Sequence, residues 1–321
     1  MASASDSVPV RRAQAICFEA IGQASLRLCD VPAPGPGELR IRVLACGICQ
    51  RELHVLAGRI GREFPIVMGH EPVGVVDAIG PGVAGFRVGE CVTGVGTASL
   101  AEYDNVEARF IVSLSYQPDH PELWLGEPAM CAVNAINRAR WPANAAVAVN
   151  GAGFMGNLLI QAARWKHPSA TIVAADTDPE RRALAEAAGA DAACEPCLDD
   201  MRALLGRHAD LVYEASGAEG TLSACTSLVR NGGTLCIFAH HFGIEGATVS
   251  EWHLRGITVL NTVPWSAPRL DQELRAAVGA MESGRLRLAD IITDVVRPAE
   301  ARQLLSEMRP SAPGRKVVVL F

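Results

Sequence analysis

Residues Ala146–Asp176 read AVAVNGAGFMGNLLIQAARWKHPSATIVAAD. A short apolar run, AVAV, leads into Gly151-x-Gly153-x-x-Gly156, with Phe154 and Met155 inside the motif. Apolar residues at helical spacing follow (Phe154, Leu158, Leu159, Ala162), and a second apolar run, TIVAA, ends at Asp176. Strand, glycine turn, helix, strand and closing acid, in that order, form the plan of a dinucleotide-binding unit. Gly151 is expected to allow the tight turn, Gly153 to let backbone approach a pyrophosphate, and Gly156 to let the helix pack close to the sheet. The first N–H groups of a helix lack intrahelical partners and favour phosphate charge. Asp176 is expected to accept hydrogen bonds from both ribose hydroxyls of the adenosine, which favours NAD(H) and repels a 2′-phosphate.

The same alternation continues downstream. Apolar runs in DAACEP, DLVYEAS, GTLCIFA and ITVLNTV are separated by helical patterns in PERRALAEAAG, LDDMRALLGR and GTLSACTSLVR. Strands alternating with helices predict an α/β unit with a doubly wound parallel sheet. LDQELRAAVGAME reads as a final helix and RKVVVLF as a closing strand.

Upstream of residue 143 the pattern is different. QAICFE, SLRLCDV, LRIRVLA and the glycine-punctuated stretch from Pro72 to Gly96 are short, closely spaced strands, with a forced turn at Pro32–Gly37. That spacing suits a small β-rich barrel or sandwich. LGEPAMCAVNAINRARW then reads as a helix. The domains expected from this are 1–142, completed by 266–321, and 143–265 as the dinucleotide-binding domain.

Within the β-rich part, Cys46–Glu71 reads CGICQRELHVLAGRIGREFPIVMGHE. It places Cys49 and His70 in loops, with Glu52 and Glu71 close by in sequence. Thiolate plus imidazole is a donor set that Zn²⁺ prefers. The two carboxylates suit the partners that orient metal ligands.

Composition sets further bounds. The chain has 321 residues, is 49% hydrophobic and 20% charged, and carries a formal net charge of −6. This fits a globular protein of about two domains. No basic patch or aromatic-interleaved basic run appears, so nucleic acid is not expected as a partner. Ten cysteines without a secretory signal point to a reducing, cytoplasmic setting rather than a disulfide scaffold. MASASDSVPV at the N-terminus reads as a short tail. The uncharged run around the glycine motif carries Pro142, glycines and amides, which is wrong for a membrane span.

Taken together, the motifs resemble the zinc-containing medium-chain alcohol dehydrogenase family, in particular its polyol and threonine dehydrogenase-like members. The resemblance rests on GIC-x-x-E-L-H at Gly47–His54, FPIVMGHEPVGVV at Phe64–Val76, V-x-x-F-x-V-G-E at Val83–Glu90, GAGFMG at Gly151–Gly156, NGGTLCIF at Asn231–Phe238 and the closing GRKVVVLF. It implies a GroES-like β-rich catalytic domain and a Rossmann domain, with a catalytic zinc in the cleft between them. It also implies Cys49 and His70 as zinc ligands. For the third ligand it leaves Cys131, which is favoured, and Glu127 or Glu71 as exchangeable or replacement ligands. The cysteine-rich lobe that binds a structural zinc in many members is missing, since no cysteine lies between Cys91 and Cys131. One zinc per chain is therefore expected.

The family pattern after the ligand cysteine is Cys-x-(Ser or Thr)-(Asp or Glu)-x-His, whereas here it runs Cys49-Gln50-Arg51-Glu52-Leu53-His54. Arginine stays protonated and cannot relay a proton as the hydroxyl does. It can instead hold a carboxylate or phosphate. His54 occupies the relay histidine's position and can take the proton through water or the ribose. Arg51, Glu52 and His54 are thus the candidate catalytic residues.

The activity implied is zinc-dependent, NAD-linked interconversion of a secondary alcohol (polyol, sugar or amino-alcohol-like) and its ketone, in a homodimer or homotetramer. The alternatives are a zinc-independent carbonyl or enone reductase, an enzyme using NAD transiently, and a non-catalytic NAD(H)-binding protein. His240, His241 and Phe242 follow the strand TLCIF at the carboxyl end of the sheet, and Trp252, Asn261 and Trp265 lie at or flank the last strand, all as candidate pocket residues or as loop packing. Cys194-x-x-Cys197 lacks the second half of a zinc knuckle.

Overall fold

The computed structural model describes residues 11–242, 249–307 and 315–321. The N-terminal tail expected from MASASDSVPV lies outside them. The chain divides into two compact units. Of the described residues, the first unit holds 11–125, 295–307 and 317–321, and the second holds 126–294 with 315 and 316.

In the first unit the elements run β1 (Arg12–Ala20), β2 (Gln23–Asp30), β3 (Glu38–Gly47), α1 (Gln50–Leu56), β4 (Ile66–Val67), β5 (Glu71–Ile79), β6 (Cys91–Gly94), β7 (Tyr103–Glu107) and β8 (Ile111–Ser113). Strand β3 shows why this region is sheet: Leu39, Ile41, Val43 and Ala45 are buried at every second position. Period-two burial matches the alternation of side chains across a strand. Strands β2, β1 and β4 form one antiparallel sheet. In the other sheet β3, β5, β6 and β8 lie in that order, and β7 also pairs with β3. Ile16, Phe18, Leu39, Ile41, Val92 and Leu100 form the centre of this unit's core.

The second unit begins with α2 (Gly126–Arg138), followed by β9 (Ala146–Asn150), α3 (Phe154–Lys166), β10 (Thr171–Ala175), α4 (Pro179–Ala187), β11 (Ala192–Cys194), α5 (Leu198–Leu205), β12 (Ala209–Glu214), α6 (Thr221–Leu228), β13 (Val229–Ile237), α7 (Val249–Leu254), β14 (Thr258–Asn261) and α8 (Leu270–Glu282). The six strands are parallel in the order β11-β10-β9-β12-β13-β14. This is the doubly wound order of a dinucleotide-binding sheet. Strands β9 and β12 are buried along their whole length, as expected where helices cover both faces. After α8 come β15 (Asp294–Val296), α9 (Pro298–Glu307) and β16 (Val317–Leu320). Strand β16 pairs with β3, so the end of the chain returns to the first unit's sheet.

Three helices escaped the sequence reading. Helix α1 has only seven residues and begins directly after Cys49, so Cys49 is the cap of a helix rather than part of an open loop. Helix α7 buries none of its six residues and so carries no apolar period. Helix α9 follows the helix taken as the last; it buries only Ala301 and Leu305, and its signal is Pro298 at the first position. The packing of α2 on α3 and α8 groups α2 with the second unit from Gly126 onward. The sequence-based division at residue 142 ran through the connection after that helix.

Candidate metal and dinucleotide sites

In the first unit a ligand set converges around the start of α1 and β5. One ligand atom each from Cys49, His70 and Glu71 lies within 4.8 Å of the others. Cys49 caps α1 in an extended conformation (φ −95°, ψ 161°). His70 and Glu71 are buried at the entry to β5. The entry is set by Gly69, whose φ is +107°, in the left-handed region that glycine tolerates. A Cβ there would stand 2.5 Å from the Leu100 amide nitrogen, so the close approach of the Ser99–Leu100 backbone also requires glycine.

Glu52 ties the set together. It is 0% exposed, and its Oε1 lies 2.8 Å from His70 Nδ1. Its Oε2 accepts the Cys49 amide at 3.1 Å. One buried carboxylate therefore holds both the backbone at the thiol and the ring of the imidazole. Burial by itself raises the pKa of the Glu52 carboxyl, but the charge and hydrogen bond of His70 outweigh it and leave the carboxyl below its usual value. Burial likewise opposes protonation of His70, and the adjacent Glu52 and Cys49 raise its pKa well above the ordinary histidine value. The buried Glu52 carboxylate and Cys49 thus favour positive charge on the ring. Thiol, imidazole and carboxylate, with the imidazole's second nitrogen held by a buried acid, fit a zinc ion.

Arg51 is exposed on α1 beside fully buried Glu52, with no hydrogen-bond or ion-pair partner among the described residues. His54, on the same helix, is buried with Leu53, Val55 and Leu56, and its carbonyl accepts the amides of Arg59 and Ile60. Cys46 is fully buried in β3, where it pairs with Pro72 of β5.

The other two proposed ligands, Glu127 and Cys131, stand one turn apart on α2 of the second unit. The Cys131 thiol donates to Glu127 Oε1 at 3.2 Å, and both side chains are buried.

Also in the second unit, the glycine motif forms the turn between β9 and α3. Gly151 has φ +96°, and a Cβ there would meet the Ser216 amide nitrogen at 2.7 Å. At Gly156 a Cβ would come within 1.8 Å of the Gly151 carbonyl oxygen. At Gly153, the cap of α3, a Cβ would meet nothing within 4 Å, so the helix N-terminus faces open space there. Phe154 and Met155 form the first positions of α3, and Lys316 Nζ sits 4.6 Å from the Phe154 ring centroid. This cradle fits the pyrophosphate of a dinucleotide. Asp176, at the end of β10, accepts the Ala152 amide at 2.8 Å and the Asp178 amide at 3.0 Å. Arg181 Nη1 approaches Asp176 Oδ1 at 3.6 Å, a basic neighbour that the sequence reading did not weigh.

The sequence reading also passed over Glu214, the last residue of β12. It is fully buried and accepts from Ser216 N and Oγ, Gly217 N, Thr221 Oγ1, and Asn150 Nδ2. His241 Nε2 lies 2.6 Å from its Oε2. Glu214 thereby braces the 215–217 turn that abuts Gly151. An acid closing the run Leu211–Tyr213 and followed by Ala-Ser-Gly was the available signal.

Of the candidate pocket residues, Trp252 donates to Thr226 Oγ1 at 2.9 Å and packs against the sheet's core, while His240 stacks on Phe242 at a centroid distance of 4.2 Å. Asn261 and Trp265 are exposed. Cys194 and Cys197 are free thiols.

Comparison with known proteins places both units. Residues 35–116 match the family described as "Alcohol dehydrogenase GroES-like domain", and residues 155–281 match "Zinc-binding dehydrogenase". An L-threonine 3-dehydrogenase from Pyrococcus horikoshii is 29% identical, over 91% of this chain and 93% of that one. A D-xylulose reductase A from Aspergillus niger is 26% identical, over 96% of this chain and 97% of that one. Among solved structures, a protein from Sinorhizobium meliloti 1021 described as a zinc-binding dehydrogenase, bound to NADP, superposes with a TM-score of 0.85 at 25% identity. The match covers 97% of this chain and 100% of that one. Among the described residues no helix is long and apolar enough to cross a membrane.

Proposed function

The chain belongs to the zinc-containing medium-chain dehydrogenase family of oxidoreductases, and on that footing we propose that it interconverts a secondary alcohol and its ketone with NAD(H) and one zinc ion per chain. The substrate class is a polyol, sugar or amino-alcohol-like molecule, in keeping with relatives named for threonine and xylulose. The observation that carries the reading is the Glu52 carboxylate, which holds His70 Nδ1 and the Cys49 amide at once.

Cys49 and His70 hold the metal, and Glu71 is the nearest further ligand. Cys131, or Glu127 beside it, is the alternative source of a third ligand. Bound zinc supplies Lewis acidity at the substrate oxygen, and the nicotinamide accepts or returns the hydride. Glu52 fixes the His70 tautomer so that Nε2 points its lone pair outward from the Glu52 contact. The amides at the start of α3 hold the dinucleotide's phosphates. Asp176 takes the adenosine ribose hydroxyls and sets the preference for NAD(H) over its 2′-phosphate form. Arg51 carries a fixed positive charge and cannot pass a proton, so it serves as an anchor for an anionic group on the substrate. The substrate proton then leaves through water or the ribose toward His54.

The test is metal content and turnover together. Protein purified without chelator should hold one zinc per chain. Cys49→Ala should lose the zinc and the turnover of polyols with NAD⁺ while still binding NADH. Full activity in metal-free protein would overturn the zinc reading. Arg51 also favours one second reading, a protein that binds NAD(H) without catalysis; NADH binding with no turnover across a broad alcohol and ketone panel would select it.

A further inference from the structure

A second polar pocket lies in the second unit, away from the glycine turn. Its volume is about 580 Å³, and its lining includes Arg202, Arg230, Arg255, His208, Asn231 and Glu251. It sits where β12 and β13 begin, with His208 just before β12 and Arg230 the second residue of β13. The strands are parallel, so this is the amino edge of the sheet, whereas Gly151 follows the carboxyl end of β9. The volume falls in the range of small-molecule sites, roughly 300–1,000 Å³.

The three arginines are held mainly by neutral groups, and that preserves their charge. Arg255 donates to the carbonyls of Thr226 and Val229 and to Asn231 Oδ1. Arg202 donates to the carbonyl of Ser227. These carbonyls close the C-terminal end of α6, so the guanidinium groups are fixed in place without being neutralised. Arg230 donates to Asp210 Oδ1 at 2.6 Å and to the Asn231 carbonyl. Asp210 is shared, because Arg207 also approaches its Oδ2 at 2.9 Å. The remaining acids are weak partners: Glu251 stands 3.6 Å from Arg255, and Asp199, on a side chain 92% exposed, stands 3.8 Å from Arg202. Arg202 Nε is buried and has no hydrogen-bond partner among the described residues. The pocket lining itself carries three preset guanidinium groups and a single carboxylate, Glu251, a surface that selects anions, and planar N–H forks match phosphate oxygens.

We propose that this pocket binds a phosphate-bearing small molecule, at a site separate from the dinucleotide turn. Asn231 and His208 add further hydrogen-bonding groups to its lining, suited to the organic part of such a ligand.

The experiment is calorimetric titration of the full chain with inorganic pyrophosphate in the presence of saturating NADH, so that the glycine turn is already filled. One pyrophosphate per chain is expected. Ser227→Glu places a carboxylate among the arginines from a partly buried position at the end of α6. It should weaken pyrophosphate by about tenfold or more, as a like charge in a binding surface does, with NADH affinity unchanged. If that variant does not fold, Arg202→Gln serves in its place with the same expectation. Absence of pyrophosphate binding to the NADH-saturated protein, or unchanged affinity in the folded variant, overturns the proposal. Citrate binding as tightly as pyrophosphate overturns the assignment to phosphate.

Discussion

Glu52 Oε1 lies 2.8 Å from His70 Nδ1 across eighteen residues of sequence, and both residues are buried. A buried carboxylate is costly unless its oxygens are satisfied. Here the two oxygens are used on the two groups that a metal would need held still. Glu52→Gln keeps the shape but removes the charge. It should weaken zinc by 10–100-fold, the usual cost of losing an outer partner of a histidine ligand. Competition with a colorimetric chelator measures this directly, and unchanged zinc affinity would count against the ligand set.

Arg51 should govern which substrates are accepted. Arg51→Ser should raise KM for carboxylate- or phosphate-bearing alcohols by about 10–100-fold, the equivalent of one or two charge-assisted hydrogen bonds. For neutral secondary alcohols kcat should rise, because a hydroxyl that can pass a proton is restored. Steady-state kinetics on paired neutral and anionic alcohols separates the two effects. Equal changes on both classes would show that Arg51 does not meet the anionic group.

Gly156→Ala forces a methyl group to within 1.8 Å of the Gly151 carbonyl oxygen. Both partners are backbone, so helix α3 must move away from the turn. The expected cost is about 1–3 kcal/mol of stability, with NADH affinity falling in parallel because the amides at Gly153–Met155 shift. Thermal melting with and without NADH reads both. A variant with unaltered cofactor binding would contradict the account of the turn.

Glu214 gives the acid limb of the stability profile a specific source. Burial raises its pKa, but hydrogen bonds from His241 and Ser216 outweigh that and leave it below the ordinary glutamate value. A carboxyl whose pKa is lower folded than unfolded stabilises the fold above the unfolded value, and that stability is lost as pH falls through the folded value. Wild-type melting temperature should therefore drop as pH falls below about 4.3, the unfolded glutamate value. Glu214→Gln should melt lower at neutral pH and show a flatter acid limb. Parallel limbs in the two proteins would assign the acid sensitivity elsewhere.

Much of this was legible because it depends on local order. The period-two pattern of β3 and the strand–glycine–helix–strand run of 146–176 both act within a few tens of residues, and both elements form where that order puts them. Short pieces were not. Helix α7 has no buried face to leave a period, and α1 is too short for a repeating one. Glu52 could be named as a partner from its place beside Cys49, yet nothing in the order of residues told which atom it would hold. The arginine pocket was invisible, since its residues come from α5, α6, β13, α7 and the segments beside them, and at Glu214 the terminal acid alone did not tell that it would be buried as a brace for the next turn.

The sequence by itself determined the α/β class, the parallel sheet, the glycine turn and the residue types able to take a metal, because backbone preference and apolar period act locally. Only the tertiary structure decided that Glu52 bridges Cys49 and His70, that Glu71 joins their ligand set while Cys131 meets Glu127, that Arg181 stands beside Asp176, and that three arginines share one pocket. The Glu52–His70 contact and the arginine pocket join segments distant along the chain, while Glu127–Cys131 and Asp176–Arg181 are near neighbours whose side-chain directions only the folded backbone sets. They are set by sheet register and by which side chains burial forces to find a partner, and neither quantity exists until the strands have paired.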